Sequence, residues 1–340
     1  GNGDFTTLAN VESFSVGDSS TNSRTVTVGA AGTSVTASSS TDAVTFDIGT
    51  LSYTGTLTGD GTTADTVSMS SGANISGGTL ENIVNLTLAS GASVTMTPEQ
   101  NAAFTGTVTA AGSETITISG DGDFTTLTGI ETYSVNDDST NTRTITVTNA
   151  SATIDATVSN DAITFDIAGS AFNGSLVGDP TTGDTVSASD GADVSSGGFT
   201  NIGTLSLASG ATVAIDAANV ANNFTTAITG AAGSETLKLM DGGTFNFTNT
   251  SVSEIENLAI GTNNIFTITL TDNFDSDGNS VTISNATGSA LAGGITLNAS
   301  ALSGDTINMT ATDFDGNDTI TGGSGTDTIR PGGGTDSMTG

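Results

Sequence analysis

The feature that most constrains this chain is a long internal repeat. The hexapeptide GDFTTL occurs at residues 3–8 and again at 122–127, an offset of 119 residues. At the same offset LASGA recurs from Leu88 to Leu207, and AAGSET recurs from Ala110 to Ala231 at an offset of 121 residues. Duplicated modules of this kind are typical of proteins whose structural units cannot bury an apolar face alone and therefore stack on their neighbours.

A shorter pattern recurs inside the modules, in the order apolar-x-x-(Ile/Val)-x-x-apolar-x-apolar. Its central residues are Val11, Ile83, Ile130, Ile202 and Ile255. The last two apolar positions alternate, as one face of a β-strand does. The step of three before them breaks the period of two, which predicts a β-bulge or a corner there.

Short alternating runs rich in Thr, Val and Ile lie between these motifs and are bounded by Gly, Asn, Asp and Ser, which predicts strands joined by turns. Such runs cover 24–28, 114–118, 143–147 and 265–270. Helical periodicity is missing, although 98–103 and 216–222 are each compatible with one helical turn.

These patterns predict an all-β fold, a parallel β-solenoid or β-roll array of stacked coils. Tandem β-sandwich repeats are the alternative, because repeats of about 100 residues are often sandwiches. The expected organisation is a first β module (1–118), a second β module (119–238), a diverged β module (239–312) and a segment of short repeats (313–340). Since the chain begins in mid-module and stops at the first residue of another short repeat, we expect it to be a slice of a longer repetitive protein.

The charge balance limits the possible functions. Four Lys and Arg stand against 36 Asp and Glu, for a net charge of −32, and the chain has no His and no Cys. Nucleic-acid binding requires cationic side chains that neutralise phosphates, so we do not expect this chain to bind nucleic acid. A His-ligated metal, a His-based catalytic triad, a thiol nucleophile and disulfides are excluded by composition. No apolar run approaches 18 residues, so no membrane span is expected.

The last 28 residues change character and form three consecutive repeats of nine: DFDGNDTIT, GGSGTDTIR and PGGGTDSMT. Asp318, Asp327 and Asp336 are nine residues apart, and each is followed two positions later by an apolar residue. A hard divalent cation prefers several oxygen ligands from carboxylates and carbonyls, and glycines permit the positive φ angles that would aim carbonyls inward.

This pattern resembles the nonapeptide G-G-x-G-x-D-x-U-x of the RTX (repeats-in-toxin) family, a calcium-dependent parallel β-roll. The resemblance implies Ca²⁺ as the cofactor, with alternate turns on the same edge. Asp318 and Asp336 would then share an ion, whereas Asp327 would need a further turn. Phe314, with Asp313, and Pro331 depart from the family's glycines, so the first repeat is expected to be a boundary turn. The predicted metal-site residues are Asp318, Asp327, Asp336, Asp315, Gly316, Gly325, Gly334 and Asn317.

Two other acidic turns resemble cation sites less closely. In 275–279 (DSDGN) the EF-hand reading fails, because Ser280 and Ala286 occupy the positions that require Gly and Glu. Asp121 and Asp123 are compatible with calcium binding or with ordinary turn chemistry. For both turns the ordinary Asp-Gly turn is the preferred interpretation.

Several charged residues recur at equivalent positions of the repeats. Glu12, Glu131 and Glu256 each follow the central Ile or Val of the short pattern, which indicates a structural role at a corner. Arg24 and Arg143 are also equivalent, and we predict structural salt bridges for them, with intermolecular pairing as the alternative.

The predicted function is an extracellular, calcium-stabilised structural protein, as a self-assembling surface-layer, filament or matrix segment on the bacterial cell surface. The RTX resemblance further implies type I secretion. A passive adhesin stalk is the alternative, and a β-helix polysaccharide-active enzyme is less favoured, since the cationic residues are few and scattered. The chain is therefore predicted not to be an enzyme. Expected partners are calcium ions and either further copies of the chain or a cell-surface polysaccharide.

Overall fold

The computed structural model describes residues 11–18, 22–136, 141–275, 280–303, 305–309 and 314–340. The first GDFTTL copy, Asp313 and residues 276–279 of the acidic turn lie outside the described residues. The chain divides into two compact units, Gly1–Asp161 and Ala162–Gly340. This division falls inside the second sequence module, and the module boundaries stay predictions.

The elements of the first unit are β1 (Ser13–Asp18), β2 (Arg24–Thr27), β3 (Ser34–Ser40), β4 (Val44–Gly49), β5 (Thr56–Thr58), β6 (Asp65–Met69), β7 (Thr79–Glu81), β8 (Ile83–Leu88), β9 (Ser93–Met96), α1 (Pro98–Ala103), β10 (Val108–Thr109), β11 (Thr115–Ser119), β12 (Phe124–Thr125), β13 (Thr132–Asn136), β14 (Thr142–Thr146) and β15 (Thr153–Asp155).

The elements of the second unit are β16 (Ala162–Ala168), β17 (Ser175–Val177), β18 (Asp184–Ala188), β19 (Gly198–Thr200), β20 (Ile202–Leu207), β21 (Thr212–Ile215), α2 (Ala217–Asn222), β22 (Ala227–Thr229), β23 (Thr236–Leu239), β24 (Gly243–Asn246), β25 (Ser251–Ser253), β26 (Asn257–Ile260), β27 (Phe266–Thr271), β28 (Phe274–Asp275), β29 (Ser280–Asn285), β30 (Ile295–Ala301), β31 (Thr306–Met309), β32 (Thr319–Thr321), β33 (Thr328–Ile329) and β34 (Ser337–Thr339).

Each unit is a parallel β-solenoid. In the first unit the ladders run β1-β3-β5-β7, β10-β8-β6-β4-β2, β9-β11-β13-β15 and β12-β14, so consecutive strands alternate between sheets. In the second unit the ladders run β16-β18-β20-β22-β25-β28, β17-β19, β21-β23-β26-β29-β31-β33 and β24-β27-β30-β32-β34. All described ladders are parallel, which confirms the predicted solenoid and shows that the sandwich alternative is wrong.

The core is thin and is built from every second residue of each strand. In β4 the side chains of Val44, Phe46 and Ile48 are buried, whereas Thr45 and Asp47 lie on the other face. Aromatic residues of successive coils stack on one another in the second unit, where Phe199 lies 5.9 Å from Phe172 and 5.1 Å from Phe224 between ring centroids. A coil therefore buries its apolar face only when its neighbours are in place.

The predicted bulge is present in the short pattern. In the first unit Asp65 pairs with Ile83 but Thr66 pairs with Asn85, so one residue of β8 is skipped. The equivalent shift in the second unit separates the partners Ile202 and Thr204. The three-residue spacing that interrupts the alternation therefore marks a β-bulge at the start of the strand.

The local predictions are confirmed as well. The four predicted strands appear as β2, β11, β14 and β27, and the two predicted helical turns appear as α1 and α2. A capping box formed by Thr97 and Gln100 begins α1, and the Asp216 side chain caps α2. Within the described residues, no helix is long and apolar enough to cross a membrane.

Both repeated arginines form structural ion pairs. Arg143 Nε lies 2.9 Å from Asp161 Oδ2, and the Arg143 guanidinium also donates to the Gly120 carbonyl at 2.6 Å. The side chains of Arg143 and Asp161 are 1% and 0% exposed. Arg24 is 3.7 Å from Asp42 and is 10% exposed. The salt bridges predicted from the sequence are therefore confirmed.

Replacing Arg143 with Met should destabilise the protein by on the order of 3–5 kcal/mol, because it leaves the Asp161 carboxylate buried without its cation. The matched variant Arg24→Met should cost less, since that pair is longer and more exposed. Urea unfolding followed by circular dichroism measures both. Equal losses in the two variants would contradict this ranking.

Candidate cation site

The three nonapeptide aspartates each stand one residue before a short strand. Thr319 of β32 pairs with Ser337 of β34, so Asp318 and Asp336 occupy the same register position in adjacent coils. Asp327 precedes β33, which pairs with β31 in another sheet. The structure thus brings Asp318 and Asp336 to one edge and keeps Asp327 apart, as the alternation of turns predicts.

Each of these carboxylates accepts a hydrogen bond from the backbone of the preceding coil. Asp318 Oδ1 accepts from the Ile295 amide at 2.8 Å, and Asp336 Oδ1 accepts from the amide of Asp318 at 3.0 Å. Asp327 Oδ1 accepts from the Ile307 amide at 2.9 Å. In all three cases the donor occupies the register position of the aspartate itself, one coil earlier. We call residues in this arrangement strand-start carboxylates.

Asp318 has the most unusual environment of the three. It is 1% exposed, and its second oxygen, Oδ2, is buried with no hydrogen-bond partner. Burial raises the pKa of Asp318 from 3.8 to about 6, and the neighbouring Asp336 adds to this rise, whereas the Ile295 hydrogen bond opposes it. A buried oxygen that lacks a partner is unfavourable unless it is protonated or meets a cation.

Two further predicted residues face the next coil from the same edge. Asn317 Oδ1 accepts from the Thr335 amide at 2.8 Å. Asp315 is exposed, and its Oδ1 lies 3.1 Å from the point that a Cβ on Gly333 would occupy. Asp315 and Asn317 therefore project toward the coil that carries Asp336, whose own carboxylate points back to the Asp318 amide.

The predicted glycines are needed mainly for close approach between coils. A Cβ at Gly334 would lie 2.1 Å from the Gly316 carbonyl oxygen, and one at Gly316 would lie 2.7 Å from the Gly293 carbonyl oxygen. At Gly325 the nearest atom would be 3.0 Å away, on Thr306. Gly334 has the predicted positive φ, at 118°, but Gly316 and Gly325 do not adopt left-handed backbone. For those two positions the expectation was wrong, and the packing of the preceding coil explains the glycine instead.

The carboxylate oxygens at this edge provide some of the ligands that a hard cation prefers. Two carboxylates stand at one register position, and one of their oxygens is buried without a partner. Across the described residues, however, no three His, Cys, Asp or Glu side chains converge in a metal-binding group. Any cation here would need backbone carbonyls or water to complete its oxygen shell.

Strand-start carboxylates also occur far from the nonapeptides, at positions not predicted from the sequence. Asp65, which is fully buried, accepts from the Val44 amide of the preceding coil at 2.6 Å and from the Asp60 amide at 2.9 Å. In the second unit Asp184 repeats both contacts, with the amides of Ile163 and Asp179 at 2.8 Å each. Burial raises the pKa of Asp65 and of Asp184, and these backbone hydrogen bonds oppose the rise.

Glutamates serve the same purpose where the side chain must reach further. Glu114 accepts from the Gly91 amide at 3.1 Å, and Glu235 from the Gly210 amide at 2.8 Å. Both are fully buried and lie in the repeated AAGSET segments. Glu256 accepts from the Glu235 amide at 2.8 Å, which confirms its predicted structural role.

The remaining acidic candidates also make backbone or side-chain contacts. Asp121 accepts from the Asn141 side chain at 2.7 Å, and Asp123 from the Thr144 amide at 2.6 Å, which favours turn chemistry. The side chains of Glu12 and Glu131 are exposed, while their backbone carbonyls accept hydrogen bonds from the next coil.

A sequence signal for the missed residues exists. Asp followed by a small residue and then Val or Ile occurs at 65–67, 161–163 and 184–186 as well as in the first two nonapeptides, and the third has Met338 at the last position. In parallel coils this spacing places a carboxylate beside the last amide before a strand and the apolar residue in the core. The signal marks a coil-to-coil hydrogen bond, and it is therefore broader than a cation motif.

In EGTA, the free energy of unfolding of Asp318→Asn should rise relative to that of the natural protein, by on the order of 2 kcal/mol as the pH rises from 4 to above 6. The folded-state pKa of Asp318 is raised, so the folded chain holds this proton more tightly than the unfolded chain, and stability falls as the proton leaves. Asn keeps the acceptor for Ile295 without the charge.

Urea midpoints measured at several pH values test this dependence, with Glu99→Gln as the control for losing one exposed charge. A difference between Asp318→Asn and the natural protein that stays constant from pH 4 to pH 7 would contradict it.

No family model, no curated protein and no solved structure matches the chain. What it does is therefore inferred from its coils, its carboxylates and its charge.

Proposed function

We propose that this chain is a segment of an extracellular, calcium-stabilised structural protein that self-assembles into a surface layer, filament or matrix. In this proposal it belongs to a larger RTX-like protein of the bacterial cell surface, exported by type I secretion. The observation that carries the proposal is the placement of Asp318 and Asp336 at one register position of adjacent coils, with Asp318 Oδ2 buried and unpartnered.

The residues that would hold calcium are Asp318 and Asp336, with Asp315, Asn317 and nearby carbonyls as further oxygen donors. Bound calcium would supply positive charge between two coils. The protein's own contribution is to hold the two carboxylates in register through the amides of Ile295 and Asp318. Asp327, on the other sheet, would act with a separate coil.

The net charge gives such binding a large effect on folding. At −32 the compact chain repels itself, and only four cationic side chains offset the 36 acidic ones. A cation that binds the folded state and not the unfolded one stabilises the fold in proportion to its occupancy. Calcium outside the cell would then favour the folded solenoid, and low calcium inside would favour an unfolded chain ready for export.

The regular solenoid supports a structural role over catalysis. Several of its acidic side chains hold backbone amides of the neighbouring coil, at equivalent positions of the repeat. Two modules related by a sequence repeat suit a repetitive assembly. A passive stalk would share this stability but would lack association between copies.

Sedimentation velocity in millimolar calcium and in EGTA tests the proposal. Calcium should convert an expanded or loosely folded monomer into compact, associating species, and magnesium should do so less effectively. The double variant Asp318→Asn, Asp336→Asn should need a higher calcium concentration to reach the same compaction and association. Glu99→Gln with Glu131→Gln removes the same charge from exposed positions and should respond as the natural protein does.

A chain that calcium compacts but leaves monomeric would support the stalk instead of the assembling segment. Identical sedimentation in calcium and EGTA would contradict the calcium-dependent function altogether.

A further inference from the structure

Several sheet ends inside the two units are covered by other parts of the chain. In the first unit α1 covers two of them: the Gln100 side chain donates to the Ile75 carbonyl at 2.6 Å beside β7, and the Asn101 side chain donates to the Thr125 carbonyl of β12 at 2.7 Å. In the second unit the Asn219 side chain of α2 donates to the Val194 carbonyl at 2.7 Å, and α2 packs on β24. Isolated bridges to Asn74 and Asp193 extend β9 and β21.

The outer edge of β10 is different. Its inner side pairs with β8, where the Leu86 amide donates to the Thr107 carbonyl at 3.1 Å. Because backbone groups alternate along a parallel ladder, the N–H and C=O of Val108 point to the opposite side. Among the strands that the structure describes, none pairs with that side.

In the second unit the equivalent sheet edge is paired with a further strand. Its equivalent strand, β22, carries β25 on its outer side, with Ile228 paired to Val252. The Ser251 amide donates to the Thr226 carbonyl at 3.2 Å. Ile228 is 0% exposed, whereas Val108, the equivalent core residue of β10, is only half-buried.

The sequence explains the difference between the units. Residues 247–256 connect β24 to β26 and include β25, whereas the equivalent connection from β12 to β13 consists of residues 126–131 alone. The first unit therefore has no strand of its own at that place. The edge of β10 has the geometry of a strand-pairing surface without its strand.

The surroundings of β10 permit a second acidic chain to approach. Between Asn82 and Ser113 the only charged residue is Glu99, in a chain of net charge −32. The strand and its flanks (105–109, TGTVT) have no Pro, Lys or other charge of the kind that protects natural sheet edges. This segment therefore adds little electrostatic repulsion between two copies.

We propose that β10 pairs, through its outer edge, with β10 of a second copy of this chain. Two identical edges complete each other in an antiparallel, two-fold arrangement, so each Val108 gains hydrogen bonds and further burial. This inference rests on the proposed function, because it identifies β10 as the site at which copies of the chain associate.

The variant Val108→Pro tests the contact directly. It removes an N–H that β8 does not use, and Thr107→Asp adds a charge to the same edge. Each should weaken association in calcium by roughly tenfold or more, because both copies lose a hydrogen bond or gain repulsion. Thr225→Asp places the same charge on an exposed position before the covered strand β22, and it should associate as the natural protein does. Sedimentation equilibrium over a range of concentrations measures the constants.

Single cysteines provide a readout that does not depend on how the proline variant folds. The chain has no Cys, so Thr107→Cys introduces one thiol, which should form a disulfide-linked dimer on mild oxidation, whereas Thr225→Cys should not. Unchanged association in Val108→Pro and Thr107→Asp, or equal cross-linking of the two cysteine variants, would overturn the contact while leaving calcium-driven assembly intact. A monomeric natural protein would also overturn it, even where calcium compacts the chain.

Discussion

The structure depends on hydrogen bonds between one coil and the next. A coil of this chain carries too few large apolar side chains to hold itself together, so its backbone must be paired on both sides. Ladders supply most of that pairing, but some strands begin with an amide that has no strand partner. The strand-start carboxylates satisfy that amide, as Asp65 does for Val44 and Asp184 for Ile163. They extend the ladder by one bond and fix the register of the new coil against the last one.

The strand-start carboxylates account for part of the acidity of the chain, and their burial has an energetic cost. A carboxylate that accepts a backbone amide is a strong acceptor, but burying it costs solvation energy, and aligned coils bring like charges together. Asp65 and Asp184 each offset that cost with two backbone hydrogen bonds, and Asp161 does so with the buried Arg143. Asp318 has one amide, one unpartnered oxygen and Asp336 beside it. An added cation beside Asp318 and Asp336 would thus stabilise the fold.

Much of the fold could be predicted because periodicity reports backbone geometry. The duplication indicated stacked coils, the step of three located the bulges at Ile83 and Ile202, and the equivalence of Arg24 and Arg143 indicated ion pairs. The buried carboxylates outside the nonapeptides could not be recognised in the same way. Asp65 and Glu114 resemble ordinary turn residues until the preceding coil, more than twenty positions earlier, is brought beside them. The glycine at 316 was likewise misread, because the carbonyl of Gly293 that requires it belongs to another coil.

Residue-resolved amide hydrogen exchange by NMR tests most directly whether carboxylates join the coils. The amides of Val44, Ile163 and Ile295 lie just outside the ladders or at their first residue, and each donates to a buried aspartate. If these bonds hold the coils in register, the three amides exchange as slowly as the central amides of β4, β16 and β30. Exchange at the rate of exposed turn amides would show that the carboxylates do not secure the coils and would contradict this account.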